Sequence, residues 1–122
     1  MADLTALIER LEAATGPSRE TDHEIHTATN KALRAGFRFG HVPHYCSSVD
    51  DAVALAVRVL PGWYFEHIGN DAMGGDYDMS WVGWTVDISP GMSGGFQGHA
   101  KTLPVAICLA VLRALSAQED EK

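Results

Sequence analysis

The chain has 122 residues, which is the length of one domain. Hydrophobic residues make up 46% of the sequence, so a disordered chain is excluded and a core without disulfide bonds is expected. The net charge is −7 and there is no basic stripe, which excludes extended binding along a DNA or RNA backbone. No apolar run approaches the roughly 20 residues that span a bilayer, and the N-terminus lacks the apolar core of a signal peptide. Together with two cysteines in unrelated surroundings, these features predict a protein of the reducing cytoplasm without membrane contact.

Three helices are predicted in the first half of the chain. Leucine and isoleucine recur at helical spacing in residues 4–11, and a second, mostly polar helix follows over residues 18–35. The third begins at Ser48, a good N-cap with Asp51 three residues later, and ends at Pro61. The connection between the second and third helices mixes aromatic residues, glycine and proline, which predicts an irregular segment with at most a short strand.

Two strands follow the third helix. The segment WYFEHIG, residues 63–69, predicts a strand with Trp63, Phe65 and His67 on one face. A polar loop separates it from SWVGWTVDIS, residues 80–89, where apolar and polar residues alternate. The side chains expected to face the core from this second strand are those of Val82, Trp84, Val86 and Ile88.

The last helix, in GHAKTLPVAICLAVLRAL over residues 98–115, is apolar on nearly every side. Thr102 is its expected N-cap, and Pro104 falls in the first turn, where proline is tolerated. We expect one side to pack on the sheet and the other on a neighbouring helix or a second subunit, which predicts a homo-oligomer, a dimer or larger. The expected sheet side contains Val105, Cys108, Leu109 and Leu112. The other side contains Ala106, Ile107, Ala110 and Val111.

The predicted order of elements, α-α-α-β-β-α, places the chain in the α/β class in its α+β form. We expect a small antiparallel sheet of two or three strands with helices on both faces. In this prediction residues 1–117 form a single globular domain, and residues 118–122 form a disordered acidic tail.

No residue pattern matches a catalytic or metal site. His41, His44 and Cys46 form H-x2-H-x-C, whose spacing permits zinc but matches no strong zinc pattern, and surface histidines in a polar segment are the simpler explanation. No serine, cysteine or threonine lies in a recognisable nucleophile motif. We therefore expect a non-enzymatic protein without a metal or cofactor.

The glycine-rich segment PGMSGGFQGHAKT, residues 90–102, leads straight into the last helix. Backbone N–H groups and the helix dipole favour a small anion at such a helix N-terminus, and His99 and Lys101 add donors. The segment matches neither a P-loop nor a dinucleotide fingerprint, so a flexible connection is the alternative.

Three segments together resemble the phage ABA-sandwich domain family of small phage and prophage proteins. They cover roughly half of the chain and are LTALIERLEAATGPSRETD, YCSSVDDAVALAVRVLPGWYF and GHAKTLPVAICLAVLRAL. Proteins similar in shape to this family include phage anti-Thoeris sponges, which sequester cyclic ADP-ribose signals or cyclic oligonucleotides in pockets at oligomer contacts. The resemblance therefore implies a phage-encoded, non-enzymatic anti-defence protein that sequesters a nucleotide immune signal in the host cytoplasm.

The resemblance also bears on the ligand-binding residues. The last helix of the sponges carries an arginine that faces the ligand near the position of Leu109, and this sequence departs there. Arg113, Lys101 or Arg58 would then replace that arginine, while an exposed aromatic residue stacks on the base. The predicted ligand-binding residues are His99, Lys101, Thr102, Gly98, Phe96, Trp81, Arg113 and Arg58.

A second hypothesis is a protein–protein inhibitor of a host defence complex, similar to an anti-CRISPR protein, whose acidic surface imitates nucleic acid. Asp71, Asp76 and Asp78 of the polar loop are expected to carry that imitation, although aspartate is also ordinary turn chemistry there. An enzyme acting on a small nucleotide is the third class, and the lack of a nucleophile motif or metal set disfavours it.

Overall fold

The computed structural model of the protein describes residues 4–13, 18–33, 42–70, 83–91 and 95–120. These residues form four helices and one antiparallel sheet of three strands. The elements in chain order are α1 (Thr5–Ala13), α2 (Arg19–Leu33), α3 (Val49–Val59), β1 (Tyr64–Asn70), β2 (Trp84–Ser89), β3 (Phe96–Ala100) and α4 (Leu103–Asp120). The predicted α+β class with a small antiparallel sheet is confirmed.

β3 is an element that the predicted order α-α-α-β-β-α lacks. It lies in the segment expected to be a glycine-rich loop, and it pairs antiparallel with β2, with Ala100 opposite Trp84. Its sequence, FQGHA, has no β-branched residue, so its strand signal is weak and the pairing with β2 overrides it. The observed order is therefore α-α-α-β-β-β-α.

Local signals set several element boundaries. Ser48 caps α3, because its side chain accepts a hydrogen bond from the amide of Asp51 at 3.2 Å. Gly62 has a φ of 88°, a left-handed conformation that glycine adopts easily, and it turns the chain from α3 into β1. α4 runs to Asp120, so residues 118–120, which the sequence assigns to the acidic tail, belong to this helix.

The register of the sheet assigns its two faces, a core face toward the helices and an open face on the other side. Val86 and Ile88 of β2 are buried on the core face, as their alternation predicts. A bulge in β1 between Phe65 and His67 shifts the register of that strand. His67 consequently pairs with Asp87 on the open face, and its predicted place on the same face as Phe65 is wrong.

The helices lie on one side of the sheet. α4 packs against β2 and β3, α1 and α3 pack in turn against α4, and α2 packs against α1. A helix on the open face would be separated from α4 by the sheet, so α1 and α3 cannot lie there. For the part of the chain that the structure describes, the helices that contact the sheet therefore lie on its core face, with α1 and α3 beside α4. The expected arrangement with helices on both faces is not found among these residues.

α4 is covered on both sides within one chain. Ala106 and Ala110 face β3, because Gly98 of that strand lies against their backbone atoms. Cys108 faces the outer layer, where its thiol donates to the carbonyl oxygen of Tyr45 at 3.4 Å. The two expected sides of this helix are therefore exchanged at these positions. We expected a homo-oligomer because the second side of α4 needs to be covered. α1 and α3 cover that side within one chain. The homo-oligomer therefore stays a prediction.

Gly98 lets β3 approach α4 closely. A Cβ at this position would lie 2.6 Å from the amide nitrogen of Ala110 and would overlap the carbonyl oxygen of Ala106. Both atoms belong to the helix backbone, which cannot yield without disturbing the helix. Gly98 is therefore a packing residue of the core.

We predict that Gly98→Ala lowers the free energy of unfolding by about 1–3 kcal/mol, the usual cost of forcing an extra carbon into a packed core. Gln97→Ala, at an exposed position of the same strand, is the control and is expected to change this free energy by less than about 0.5 kcal/mol. Urea unfolding followed by circular dichroism measures both changes. Equal stability of Gly98→Ala and wild type would contradict the close packing of β3 on α4.

Candidate functional site

The predicted ligand-binding residues do not form one site. Lys101 and Thr102 precede α4, whereas Arg113 lies on that helix about 15 Å beyond its first residue. Arg113 donates to the carbonyl oxygen of Gln97 at 2.6 Å and forms an ion pair with Glu12. Its guanidinium group thus ties α4 to β3 and α1, away from the end of the helix where Lys101 lies.

Two further predicted residues belong to the core face of the sheet. Phe96 stacks on Trp63 with their ring centroids 6.1 Å apart, and Gly98 lies against α4. Neither is placed to contact a ligand on the open face. Five other residues singled out from the sequence lie outside the described residues. They are His41, Asp71, Asp76, Asp78 and Trp81.

Thr102 does not cap α4. Its hydroxyl oxygen is buried and has no hydrogen-bond partner within the described ranges, while its carbonyl oxygen accepts the amide of Ala106 at 3.1 Å. Thr102 therefore lies at the predicted N-cap position, directly before α4, but its side chain makes no capping hydrogen bond to a described residue. Lys101, one residue earlier, is exposed and stays available to a ligand.

Arg58 belongs to a buried polar cluster on the side of α4 that faces away from the sheet. Its Nη2 donates to the hydroxyls of Thr29 at 3.1 Å and Tyr45 at 3.2 Å. Nδ1 of His26 lies 3.0 Å from the same Tyr45 hydroxyl. Burial lowers the pKa of His26, and the charges of Arg58 and His23 lower it further. Burial also raises the pKa of Tyr45, against the effect of Arg58.

Asp22 extends this cluster and anchors the turn before α3 onto α2. Its carboxylate accepts the amide of Cys46 at 2.8 Å and pairs with Arg19 at 3.0 Å. Hydrogen bonding to Cys46, together with burial, raises the pKa of Cys108 well above its ordinary value. Both thiols are buried and free. Because the contacts of the cluster, apart from the pair of Asp22 with Arg19 within α2, join different parts of the core, we assign the cluster a structural role.

We predict that Tyr45→Phe lowers the free energy of unfolding by about 1–3 kcal/mol, because His26 and Arg58 lose a buried hydroxyl partner. Tyr64→Phe is the matched control. The Tyr64 hydroxyl donates to the carbonyl oxygen of Gly91 at 3.4 Å on the exposed surface, so a change below about 0.5 kcal/mol is expected. Urea unfolding measures both, and equal losses would show that the cluster has no specific part in stability.

The open face of the sheet brings together two histidines from different strands. The imidazole ring of His67 in β1 lies over Gly69. A Cβ on Gly69 would overlap Nε2 of this ring and lie 3.0 Å from Cε1 of the ring. Gly69 is the register partner of Thr85 in β2, and Thr85 is the partner of His99 in β3. Oγ1 of Thr85 lies 3.0 Å from Nδ1 of His99. The two imidazoles therefore lie on the same face of the sheet, in the strands on either side of Thr85, and we call His67, Thr85 and His99 the histidine row.

Charged and amide side chains surround the histidine row. Asp87 is the register partner of His67 and accepts a hydrogen bond from Nε2 of Gln97 at 3.0 Å. Lys101 is exposed and directly follows Ala100, the last residue of β3. The open face thus carries two imidazoles, a hydroxyl that is hydrogen-bonded to one of them, and a carboxylate, and the exposed Lys101 lies just beyond the end of β3.

The sequence points to one half of this site. His99 and Lys101 are predicted from their position before a helix. His67 and Thr85 lie in ordinary strand patterns, and only the bulge and the register bring them beside His99. The signal that could have found His67 is Gly69, since a glycine inside a strand often marks a close approach of another group.

A second surface feature is an apolar groove between α3 and β1. It holds a cavity of about 20 Å³ and is lined by side chains of both elements, including Val57, Leu60 and Phe65. Val57 is 65% exposed and Tyr64 is 48% exposed, so apolar surface continues beyond the groove. Pockets for small molecules usually exceed about 300 Å³, so this groove suits a side chain of a protein partner better than a nucleotide.

No family model, curated protein or solved structure matches the chain. Among the residues that the structure places, no group of three or more His, Cys, Asp or Glu side chains could hold a metal ion. The helices of those residues include none that is long and apolar enough to cross a membrane. A function must therefore be argued from the histidine row and from the groove.

Proposed function

We propose that the protein binds a small phosphate-bearing ligand of the nucleotide class on the open face of its sheet. The observation that carries this proposal is that the bulge in β1 and the register of the sheet bring His67 and His99 to the same face, in the strands on either side of Thr85. The biological role we propose is the one that the sequence resemblance implies, a phage-encoded anti-defence protein that sequesters a nucleotide immune signal in the host cytoplasm.

The donors of the open face suit phosphate oxygens. His67 and His99 each offer N–H donors when protonated, and Lys101 adds a permanent charge. Charge-assisted hydrogen bonds of this kind are about twice as strong as neutral ones. The net charge of −7 repels a long nucleic acid, so the ligand is a small anion that these few donors hold locally.

Tyr64 replaces Phe96 as the expected stacking partner of the nucleobase. Its register partner is Ser89, which gives it the same alternation as His67, and it lies in the edge strand β1, where it also borders the groove beside α3. The Tyr64 side chain is exposed, whereas Phe96 is stacked on Trp63 within the core face. Stacking of a base on an aromatic ring contributes about 1–3 kcal/mol, so the loss of this ring should weaken binding measurably.

We predict that calorimetry detects binding of at least one ligand from a panel of cyclic ADP-ribose isomers and cyclic di- and trinucleotides. Lys101→Glu places a carboxylate beside the phosphate and is expected to weaken that binding about ten-fold or more. Ala54→Glu is the control, because it adds a carboxylate at an exposed position of α3. The absence of heat and of a melting shift with every ligand would contradict the proposal. Equal binding by Lys101→Glu would place the ligand elsewhere on the protein.

A second candidate function, inhibition of a host defence complex by direct contact, is favoured by the apolar groove. Val57 and Tyr64 expose apolar surface at the groove. Asp50 lies two helical turns before Val57 on the same side of α3 and is exposed. Apolar groups beside an acidic one fit a basic, partly apolar protein surface, such as a nucleic-acid-binding site.

For this function we predict that a photo-crosslinking amino acid in place of Val57 captures one host protein that the same substitution at Ala54 does not. Val57→Glu should then weaken the complex of the two purified proteins about ten-fold or more, because it puts a charge into an apolar contact. Ala54→Glu, on the same helix, should leave the affinity unchanged. Identical crosslinks from both positions, or equal affinity of both variants, would contradict docking at the groove.

A further inference from the structure

We propose that a second copy of this chain pairs with β1, so that two three-stranded sheets join into one antiparallel sheet. The interaction surface consists of the outer edge of β1 and an apolar stripe on α3. This interface goes beyond the proposed function and does not depend on a ligand at the open face.

The two edges of the sheet differ in their cover. β3, at one edge, is contacted by α1 and α4, and the carbonyl oxygen of Gln97 accepts a hydrogen bond from Arg113 at 2.6 Å. β1, at the other edge, is paired with β2 on one side, and no described strand lies on its other side. The backbone groups on the outer side of an edge strand can pair with a strand of another chain. β1 is therefore the edge at which the sheet can be extended.

The exposed apolar side chains are concentrated beside this edge. Among the described residues, the large hydrophobic side chains that are exposed all lie in α3 or β1, and they are Val49, Val57, Tyr64 and Ile68. Val53 lies four residues from both valines, so the three valines form a stripe along α3. The groove joins α3 to β1, which makes the stripe and the strand edge one apolar surface. Such a surface is typical of a contact between proteins.

The bulge of β1 makes this edge complementary to itself. Phe65 is the register partner of Ile88, and both lie on the core face. Ile68 is the register partner of Val86, so it lies on the core face too, although it follows Phe65 by an odd number of residues. A second β1, related to the first by a two-fold axis, can therefore place its Ile68 opposite Phe65 with both side chains on the core face.

A bulge hinders pairing along an edge when it adds a residue to one strand alone. Across the proposed two-fold axis each copy carries the same extra residue, Glu66, so the two bulges lie opposite each other. The register consequently continues past them on both sides.

The same register brings complementary charges together. Glu66 and His67 lie between Phe65 and Ile68, so Glu66 of each copy lies opposite His67 of the other. Both side chains are exposed in the single chain. An imidazole N–H donates to a carboxylate, and opposite charges across two strands are favourable. Because the two-fold axis forms this pair twice, a second copy is the occupant that the edge of β1 fits.

The expected association is weak. Each copy contributes one strand of 7 residues and part of one helix. This is a small contact beside the roughly 1,200–2,000 Å² that stable complexes bury. The net charge of −7 on each copy adds repulsion. We expect a Kd of about 1 mM, so the chain is mainly monomeric below about 0.1 mM and mainly dimeric at about 3 mM.

Sedimentation equilibrium of the purified full chain between about 0.05 and 3 mM tests the association. Wild type is expected to shift from monomer to dimer as the concentration rises. Ile68→Lys puts an ammonium group into the apolar contact, so it should stay monomeric at about 3 mM although it reduces the net negative charge. Thr27→Lys adds the same charge at an exposed position of α2 and should dimerise like wild type. Circular dichroism checks that each variant is folded.

A monomer at every concentration overturns the proposal and leaves the groove to a different protein. Dimerisation of Ile68→Lys at the wild-type level overturns the location of the interface at β1.

Disulfide trapping tests the register. Chains with Phe65→Cys and chains with Ile68→Cys are mixed, and oxidised glutathione is added to join neighbouring thiols. The proposed register sets these two positions opposite each other, whereas two identical positions lie about 10 Å apart along the strands, too far for a disulfide. The mixed product should therefore form about ten-fold faster or more than either product of identical chains. Equal rates for the three products overturn the register.

Exchange of the charged pair tests the complementarity. Glu66→His or His67→Glu alone puts two like groups opposite each other and should weaken dimerisation about three-fold or more. The double variant Glu66→His/His67→Glu restores an acid opposite an imidazole, so its dimerisation should return to near the wild-type level. Weakening without recovery in the double variant, or no weakening in either single variant, overturns the pairing of Glu66 with His67 across the two-fold axis.

Discussion

The close approach of β3 to α4 is the constraint on which the rest of the structure depends. Gly98 of the strand and the backbone of Ala106 and Ala110 meet with no room for a Cβ. Because α4 begins three residues after β3 ends, this contact lays the helix along the core face, and α1 and α3 are left to cover its outer side. The open face is then formed by the polar side chains of the sheet, which is where a ligand can reach them.

The bulge in β1 decides which side chains reach that open face. With regular alternation His67 would share the core face with Phe65, but the extra residue turns it toward Asp87 and lets its ring fold over Gly69. β-bulges often redirect a side chain at functional sites. The bulge therefore places His67 on the same face of the sheet as His99, and the proposed binding depends on that placement.

Elements with strong local signals could be predicted from the sequence, and elements defined by distant partners could not. The Ser48 cap of α3 and the buried Val86 of β2 follow from side-chain chemistry and alternation within a few residues. β3 could not be predicted, because its glycine serves packing against a helix rather than a turn. The same holds for the site: Arg58 and Arg113 bond to groups far away in the sequence, which removes them from the ligand set.

The central claim is that one chain covers α4 on both sides, and amide hydrogen exchange of this helix tests it most directly. We predict that the amides of residues 105–115 exchange only through global unfolding, with a protection free energy equal to the free energy of unfolding. This protection should be unchanged between about 1 and 100 μM protein. Protection that falls on dilution would mean that a second subunit covers the helix, and protection far below the global stability would mean that α4 is not the centre of the core. Either result would contradict the covering of α4 by its own chain.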